Sequence, residues 1–150
     1  MAVPSATVEL RQQEEFRFEA RYENATFGGP IVDEPPPNGG GAGPSPSQTL
    51  ATAVGHCMSS TLFDCFRRAN VPVRSIVTRV STYTGRNERG RLRVQRFEVS
   101  LTCEPVRVED RPKVDRCLEV FADYCPVSGG VRDGIAIEFR SDVPTQTPRD

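Results

Sequence analysis

Alternation of apolar and polar positions near the amino end predicts a β-hairpin with one buried face. Val8 and Leu10 alternate with polar residues, and residues 12–15 are expected to form the turn. The alternation then resumes with an apolar set on one face: Phe16, Phe18, Ala20 and Tyr22. A period of two is typical of a half-buried strand. The intervening side chains are therefore expected to face solvent: Arg17, Glu19 and Arg21.

Residues 26–46 are dominated by Gly and Pro, and we expect no regular structure there. On composition alone a flexible linker is the simpler interpretation, and the functional alternative is a long shaped loop that walls a pocket. A helix is predicted directly afterwards, because Ser45, Pro46 and Gln48 form a capping box with proline in the first turn. Its apolar positions recur at spacings of three and four: Leu50, Val54, Cys57, Met58, Thr61, Leu62, Cys65 and Phe66. Asn70 and Pro72 end this helix.

Two long strands follow, joined by a turn at residues 85–90. One face of the first strand carries Ile76, Thr78, Val80 and Thr82. In the second strand, Leu92 and Val94 are out of phase with the later apolar set: Phe97, Val99, Leu101 and Cys103. One extra residue near Gln95–Arg96 would restore a common face, so we predict a β-bulge there.

A second helix is predicted from about Asp110 to Tyr124, and Cys125-Pro126 ends it. Its inward positions are Val114, Cys117, Leu118 and Phe121. Gly129-Gly130 then leads to a last strand with three inward apolar residues: Ile135, Ile137 and Phe139. The order ββ, loop, α, ββ, α, β predicts an α+β fold of two layers, with two main helices against an antiparallel sheet. We expect a single domain over residues 1–150, with the loop at 26–46 and a frayed tail at 143–150.

The composition restricts the functional classes. A formal net charge of −1 gives no electrostatic case for nucleic acid or for an anionic membrane as partner. Five arginines make the predicted 85–90 hairpin locally basic, which a solvated strand face explains better than a nucleic-acid surface: Arg86, Arg89, Arg91, Arg93 and Arg96. The amino end lacks the features of a secretion signal, so we expect a cytoplasmic location.

Five cysteines in a reducing compartment are expected to be thiols. There is no C-x-x-C pair and the only histidine is His56, so a metal site is not expected. Position places four of the thiols in the core: Cys57, Cys65, Cys103 and Cys117. Cys125 differs, because it lies at a helix end beside Pro126, where a thiol is often reachable. Position alone assigns no chemical role to any of these cysteines.

The segments around two of these cysteines resemble the OsmC/Ohr family. Residues 43–46 (GPSP) followed by 50–57 (LATAVGHC) resemble the capped helix that carries the first thiol in that family. Residues 124–128 (YCPVS), with a Gly-Ile strand after them, resemble its second-thiol motif. The loop at 33–37 (DEPPP) with its glycines is similar to the OsmC-like branch. The order of elements agrees too, so the resemblance covers nearly the whole chain.

This resemblance implies an OsmC-like fold, an intertwined homodimer with each active site at the subunit interface, and reduction of organic hydroperoxides in oxidative stress defence without a metal or organic cofactor. Cys57 would be the peroxidatic thiolate, which becomes a sulfenic acid, and Cys125 the resolving thiol, which condenses with it to a disulfide. An external dithiol of the lipoyl type would reduce that disulfide.

The chain departs from the family pattern around Cys57. Family peroxidases carry a glutamate ten residues before the first cysteine, where this chain has Ser47, and an arginine near the thiol. Arg17 or Arg21 could reach a neighbouring or partner site, and His56 is expected to be satisfied or exposed rather than catalytic. The alternative is a non-peroxidase member that binds a small apolar or sulfur-bearing ligand or acts as a slow thiol redox sensor. A third hypothesis is a purely structural role for all five thiols.

Overall fold

The computed structural model describes residues 4–143 and has the predicted α+β fold. Its five strands form two antiparallel sheets, one in the order β1-β2-β3 and one that pairs β4 with β5. The strands are β1 Val8–Glu14, β2 Arg17–Tyr22, β3 Ile31–Val32, β4 Val73–Arg86 and β5 Leu92–Pro105. The helices are α1 Pro46–Arg68, α2 Arg111–Val120 and α3 Pro126–Asp133, with 3₁₀ turns at Val108–Asp110 and Phe121–Tyr124. The predicted tail lies outside the described residues, apart from Val143.

The amino-terminal hairpin forms as predicted, but its apolar face is not buried within this chain. Among the residues on that face only Ala20 is buried, and Leu10 keeps 56% of its surface exposed. The expectation that the Gly/Pro-rich segment lacks regular structure is wrong at β3, because Ile31 and Val32 pair with Glu19 and Phe18 of β2. Glycine is required at Gly43, where a β-carbon would lie 1.9 Å from the Ile31 carbonyl oxygen.

Helix α1 begins where the sequence predicts. The Ser45 hydroxyl accepts a hydrogen bond from the Gln48 N–H, and the Gln48 side chain accepts one from the Ser45 N–H, which completes the capping box. The helix ends at Arg68, and Asn70 adopts a positive φ of 54° just beyond it. Gly55 lies against β4, because a β-carbon there would approach Val80 Cγ2 to 2.8 Å.

The predicted β-bulge is confirmed in the β4–β5 hairpin. Tyr83 pairs with Arg96 and Thr84 pairs with Val94, so Gln95 is the extra residue. The bulge brings the apolar residues before and after it onto one face of β5. Of the hairpin's arginines, Arg96 pairs with Glu98 and stacks on the Tyr83 ring at 3.6 Å. All five are exposed, as expected of a solvated strand face and turn.

The chain after Cys125 differs from the prediction. Cys125-Pro126 does end the preceding helical stretch, but Pro126 is also the first residue of α3, which the sequence analysis missed. The predicted last strand is absent: within the described part of the chain, residues 135–143 have no strand partner, and Ile137 is 92% exposed. A strand requires a neighbouring edge for its N–H and C=O groups, and among residues 4–143 this segment pairs with neither sheet.

The core lies between α1 and α2 and extends to β4 and β5. Its buried residues are Leu62, Phe66, Val71, Val114, Cys117 and Phe121, with Cys103 packed against them. Inside this core, Cys65 of α1 is joined to Cys117 of α2 by a disulfide with a Cα–Cα distance of 5.8 Å. Most of these core positions were predicted, but Val71 was not, and Leu118, predicted to point inward, is 38% exposed. The expectation that all five cysteines are thiols is wrong for Cys65 and Cys117.

Candidate active site

The structure brings the two cysteines singled out by the motifs together. Cys57 lies in the middle of α1 and is half-buried, while Cys125 is the N-cap of α3 and only 1% exposed. Their side chains are close enough for one thiol to hydrogen-bond with the other. Two sulfurs that are 68 positions apart in the numbering therefore share one site. Cys103, the remaining free thiol, lies on β5 outside this pair.

The amino end of α3 supplies most of the polar groups around the two sulfurs. The Ser128 hydroxyl and N–H interact with the Cys125 sulfur, and the Val127 N–H interacts with the Cys57 sulfur. Thr61, one turn after Cys57 on α1, lies beside the pair, and its hydroxyl donates a hydrogen bond of 2.8 Å to the Cys57 carbonyl oxygen. These N–H groups lie at the positive end of the helix dipole, which favours a thiolate.

The surroundings shift the pKa values of the two thiols in opposite directions. Burial raises the pKa of Cys57, and the hydrogen bond with Cys125 raises it further against the opposing effect of Val127. Burial also acts to raise the pKa of Cys125, but its interactions with Ser128, Cys57 and Thr61 outweigh burial and leave that pKa lowered. The surroundings therefore favour a thiolate at Cys125 over one at Cys57.

Among the residues that the structure describes, no cation is one of the groups that shift either of these two pKa values. Arg21 is exposed and pairs with Glu19 at 2.9 Å. Arg17 was expected to face solvent, yet it is half-buried and its Nε is enclosed without a partner in residues 4–143. Its Nη2 lies near the Gly/Pro-rich loop, 3.9 Å from where a β-carbon at Gly40 would be.

A cavity of about 600 Å³ lies beside Ser128, and neither Cys57 nor Cys125 belongs to its lining. Ser128, the partner of Cys125, belongs to its wall, together with α1 residues on either side of Cys57. The lining is mainly apolar and includes two arginines: Leu50, Val54, Met58, Val94, Gln95, Arg96, Phe97, Val99, Ala122, Ser128, Val131 and Arg132. This space suits a molecule with an apolar body that reaches the sulfurs from the Ser128 side.

A larger cavity of about 970 Å³ lies elsewhere on α1. It is enclosed by the Gly/Pro-rich loop and β4, and its wall includes Pro35, Gly43, His56 and Thr78. His56 is exposed and faces this cavity, and neither thiol belongs to its lining. Within residues 4–143 no cluster of three or more His, Cys, Asp or Glu side chains is arranged to hold a metal ion.

Sequence reasoning found both sulfurs but not the groups that surround them. The motif at residues 124–128 includes Val127 and Ser128, but the motif alone predicts no role for either side chain. The signal was present, because Cys125-Pro126 repeats the arrangement of Ser45-Pro46, a polar N-cap followed by proline at the first helical position. Gly129 and Gly130 favoured a turn instead and concealed the short helix.

Comparisons with known proteins agree with this fold. The family model described as OsmC-like protein matches residues 39–140, so the chain belongs to the OsmC-like family. No curated protein sequence matches it.

Among solved structures, an OsmC-like protein from Mycoplasma pneumoniae superposes with a TM-score of 0.72 at 12% identity, covering 88% of this chain and 89% of that one. An OsmC-like protein of unknown function from Vibrio cholerae gives 0.71 at 9% identity, covering 85% and 94%. The organic hydroperoxide resistance protein OhrB of Bacillus subtilis gives 0.59 at 19% identity, covering 89% and 94%. At these identities the likeness establishes the fold.

Within the described residues, no helix has both the length and the apolarity needed to cross a membrane.

Proposed function

We propose that this protein is a thiol-dependent peroxidase that reduces organic hydroperoxides through Cys57 and Cys125. The observation that carries the proposal is the contact between these two side chains, one on α1 and the other at the start of α3. Family membership and a structural neighbour described as an organic hydroperoxide resistance protein agree with it.

The two cysteines differ in solvent exposure and in pKa. Cys57 is half-buried and reachable, whereas Cys125 is 1% exposed and holds the lower pKa of the pair. We assign Cys57 as the attacking sulfur and Cys125 as the group that accepts its proton and later resolves the intermediate. Because the two side chains interact directly, the proton would pass between neighbouring groups.

Reduction of the hydroperoxide would proceed through a sulfenic acid at Cys57 and then a Cys57–Cys125 disulfide. The Cys57 proton passes to the Cys125 thiolate, and the Cys57 sulfur attacks the terminal peroxide oxygen. The O–O bond breaks, the alkoxide takes a proton from water to leave as alcohol, and Cys57 becomes a sulfenic acid. Cys125 then attacks the Cys57 sulfur, the S–O bond breaks with loss of water, and a disulfide forms. An external dithiol, of the lipoyl type by resemblance, then reduces this disulfide to restore both thiols and is itself oxidised to a disulfide.

The cavity beside Ser128 supports an organic hydroperoxide as substrate. Its mainly apolar lining provides a surface for a hydrocarbon body, and Arg96 and Arg132 provide positive charge at its wall. Hydrogen peroxide, which has no apolar part, gains nothing from such a lining. We therefore expect organic hydroperoxides to be reduced faster than hydrogen peroxide.

We propose further that the working form is a homodimer. The apolar face of the amino-terminal hairpin is largely exposed and, with Leu50 and Ala53 of α1, bounds a groove of about 630 Å³. The alternating segment Ile135-Ala136-Ile137-Glu138-Phe139 also has no strand partner among residues 4–143. Exposed apolar surface of this kind marks an interface, and a second copy would cover both features.

A second copy would also be the source of the missing cation. Arg17 is half-buried with an enclosed, unpartnered Nε among the described residues, which suits an arginine that completes a site across the interface. We expect Arg17→Ala to raise the pKa of the reactive thiol pair and to slow alkylation at neutral pH. The matched control is Arg21→Ala, which removes an exposed arginine from the same strand and is expected to leave both unchanged. Equal behaviour of the two variants would contradict this role for Arg17.

The proposal is tested by hydroperoxide-dependent oxidation of a dithiol. Wild-type protein should support it, and both Cys57→Ser and Cys125→Ser should lose it. Cys57→Ser protein should no longer consume peroxide, while Cys125→Ser protein should accumulate a sulfenic acid that a dimedone-type reagent traps. Equal activity of wild type and Cys57→Ser would reject the proposal.

One observation favours a second candidate, a slow thiol redox sensor or ligand-binding protein. Burial raises the pKa of Cys57, which slows attack on a peroxide unless another group compensates. A sensor would form the Cys57–Cys125 disulfide without sustained turnover. Multiple turnovers with an external dithiol would therefore exclude the sensor and support the peroxidase.

A further inference from the structure

The Cys65–Cys117 disulfide joins the same two parts of the chain as the Cys57–Cys125 pair. Cys65 lies eight residues after Cys57 on α1, and Cys117 lies eight residues before Cys125 on the α2 side. Both pairs therefore connect α1 with the segment that runs from α2 to the start of α3. Since a helix rises about 1.5 Å per residue, the two pairs are about 12 Å apart along α1. At that distance the disulfide does not exchange directly with the thiol pair.

We propose that Cys65 and Cys117 are a second redox centre, whose disulfide holds Cys125 in place beside Cys57 and so controls the rate at which that pair reacts. This control rests on the proposed function for its biological meaning, but the formation of the disulfide does not depend on it. The inference concerns a pair that the motifs around Cys57 and Cys125 do not include.

The packing explains why this bond would act on Cys125. Cys117 is 3% exposed and shares the core with Leu62 and Phe121. Phe121 begins the 3₁₀ turn that ends at Tyr124, directly before Cys125. A covalent link at Cys117 therefore restrains the last helical turns that lead to the active sulfur. Without the link, only side-chain packing holds that segment against α1.

Formation of the disulfide needs an oxidant, for which we name a low-molecular-weight disulfide such as oxidised glutathione. Cys65 is half-buried and more accessible than Cys117, so its thiolate attacks the oxidant and releases one small thiol. Cys117 then attacks the Cys65 sulfur of the mixed disulfide and releases the second small thiol. Two protein thiols are oxidised, one small disulfide is reduced to two thiols, and no atom is left over.

The first experiment asks whether this pair is redox-active. Wild-type protein is equilibrated in buffers of reduced and oxidised glutathione, quenched in acid, alkylated, and digested with trypsin and an enzyme that cleaves before aspartate. The digestion separates the four relevant cysteines into fragments 33–63, 64–67, 117–122 and 123–132. We expect fragment 64–67 linked to 117–122 in oxidising buffer and free in reducing buffer. Free thiols at both positions across all buffers would overturn the proposal.

The second experiment measures control of the thiol pair with diamide, which oxidises dithiols and is not a hydroperoxide. We expect the Cys57–Cys125 disulfide to form about fivefold more slowly in Cys65→Ala than in wild type, because the two sulfurs lose part of their fixed proximity. Cys103→Ala removes a half-buried cysteine outside both pairs and should react at the wild-type rate. Equal rates in wild type and Cys65→Ala would overturn the control.

A comparison without substitution guards against misfolding of the variant. Wild-type protein with the Cys65–Cys117 bond intact is compared with wild-type protein in which it has been reduced, and the same slowing is expected. If diamide gives these results but wild-type protein consumes no hydroperoxide, the proposed peroxidase function fails and the second redox centre stands.

Discussion

The stability of the fold should depend on reducing agent through one bond. The Cys65–Cys117 disulfide spans a sequence separation of 52 residues between α1 and α2. The loss of chain entropy in the unfolded state that such a loop causes corresponds to about 4 kcal/mol, within an observed range of about 2–5 kcal/mol. Reducing the bond should therefore lower the free energy of unfolding of wild-type protein by this amount.

The assay is equilibrium unfolding in urea, with and without dithiothreitol, followed by far-ultraviolet circular dichroism. The Cys65→Ala/Cys117→Ala variant provides the control, because it lacks the bond in both conditions and its free energy of unfolding should not respond to the reductant. The difference between the two responses isolates the bond from any change in packing. If wild-type protein, with the bond confirmed by mass spectrometry, unfolds at the same urea concentration in both conditions, the reasoning is refuted.

Three further predictions concern the site, the fold and the assembly. Ser128→Ala should raise the pKa of Cys125, so the midpoint of the pH profile of thiol alkylation should shift to a higher pH than in wild type. An unchanged pH profile would contradict the role of Ser128. Gly55→Ala should lower the free energy of unfolding by about 1 kcal/mol net, since overpacking against Val80 exceeds the gain in helix propensity; a stabilised variant in urea unfolding would contradict it. Ile137→Asp should convert the proposed dimer to monomer in sedimentation experiments, and a dimer that persists would remove this segment from the interface.

The local signals of the sequence predicted the elements that depend only on neighbouring residues. The capping box at Ser45 and Gln48 positions the start of α1, and the phase change along the second long strand locates the bulge at Gln95. Both follow from backbone hydrogen bonding and side-chain alternation, which act over a few residues.

Features that depend on distant parts of the chain escaped prediction. The alternating residues after Gly134 have the pattern of a strand but pair with no strand in the described part of the chain. The Cys65–Cys117 bond joins positions whose proximity follows only from the packing of α2 on α1. At the candidate site, the motifs identified Cys57 and Cys125. The lowered pKa of Cys125 depends on groups at the start of α3, and this helix was not predicted because Gly129-Gly130 favours a turn.

The most direct test of the central claim is a disulfide map after reaction with a stoichiometric amount of an organic hydroperoxide. The account predicts that fragment 33–63, which contains Cys57, becomes linked to fragment 123–132, which contains Cys125, as the hydroperoxide is consumed. Cys57→Ser protein should leave the hydroperoxide intact. Persistence of both thiols, with the hydroperoxide unconsumed by wild-type protein, would contradict the account.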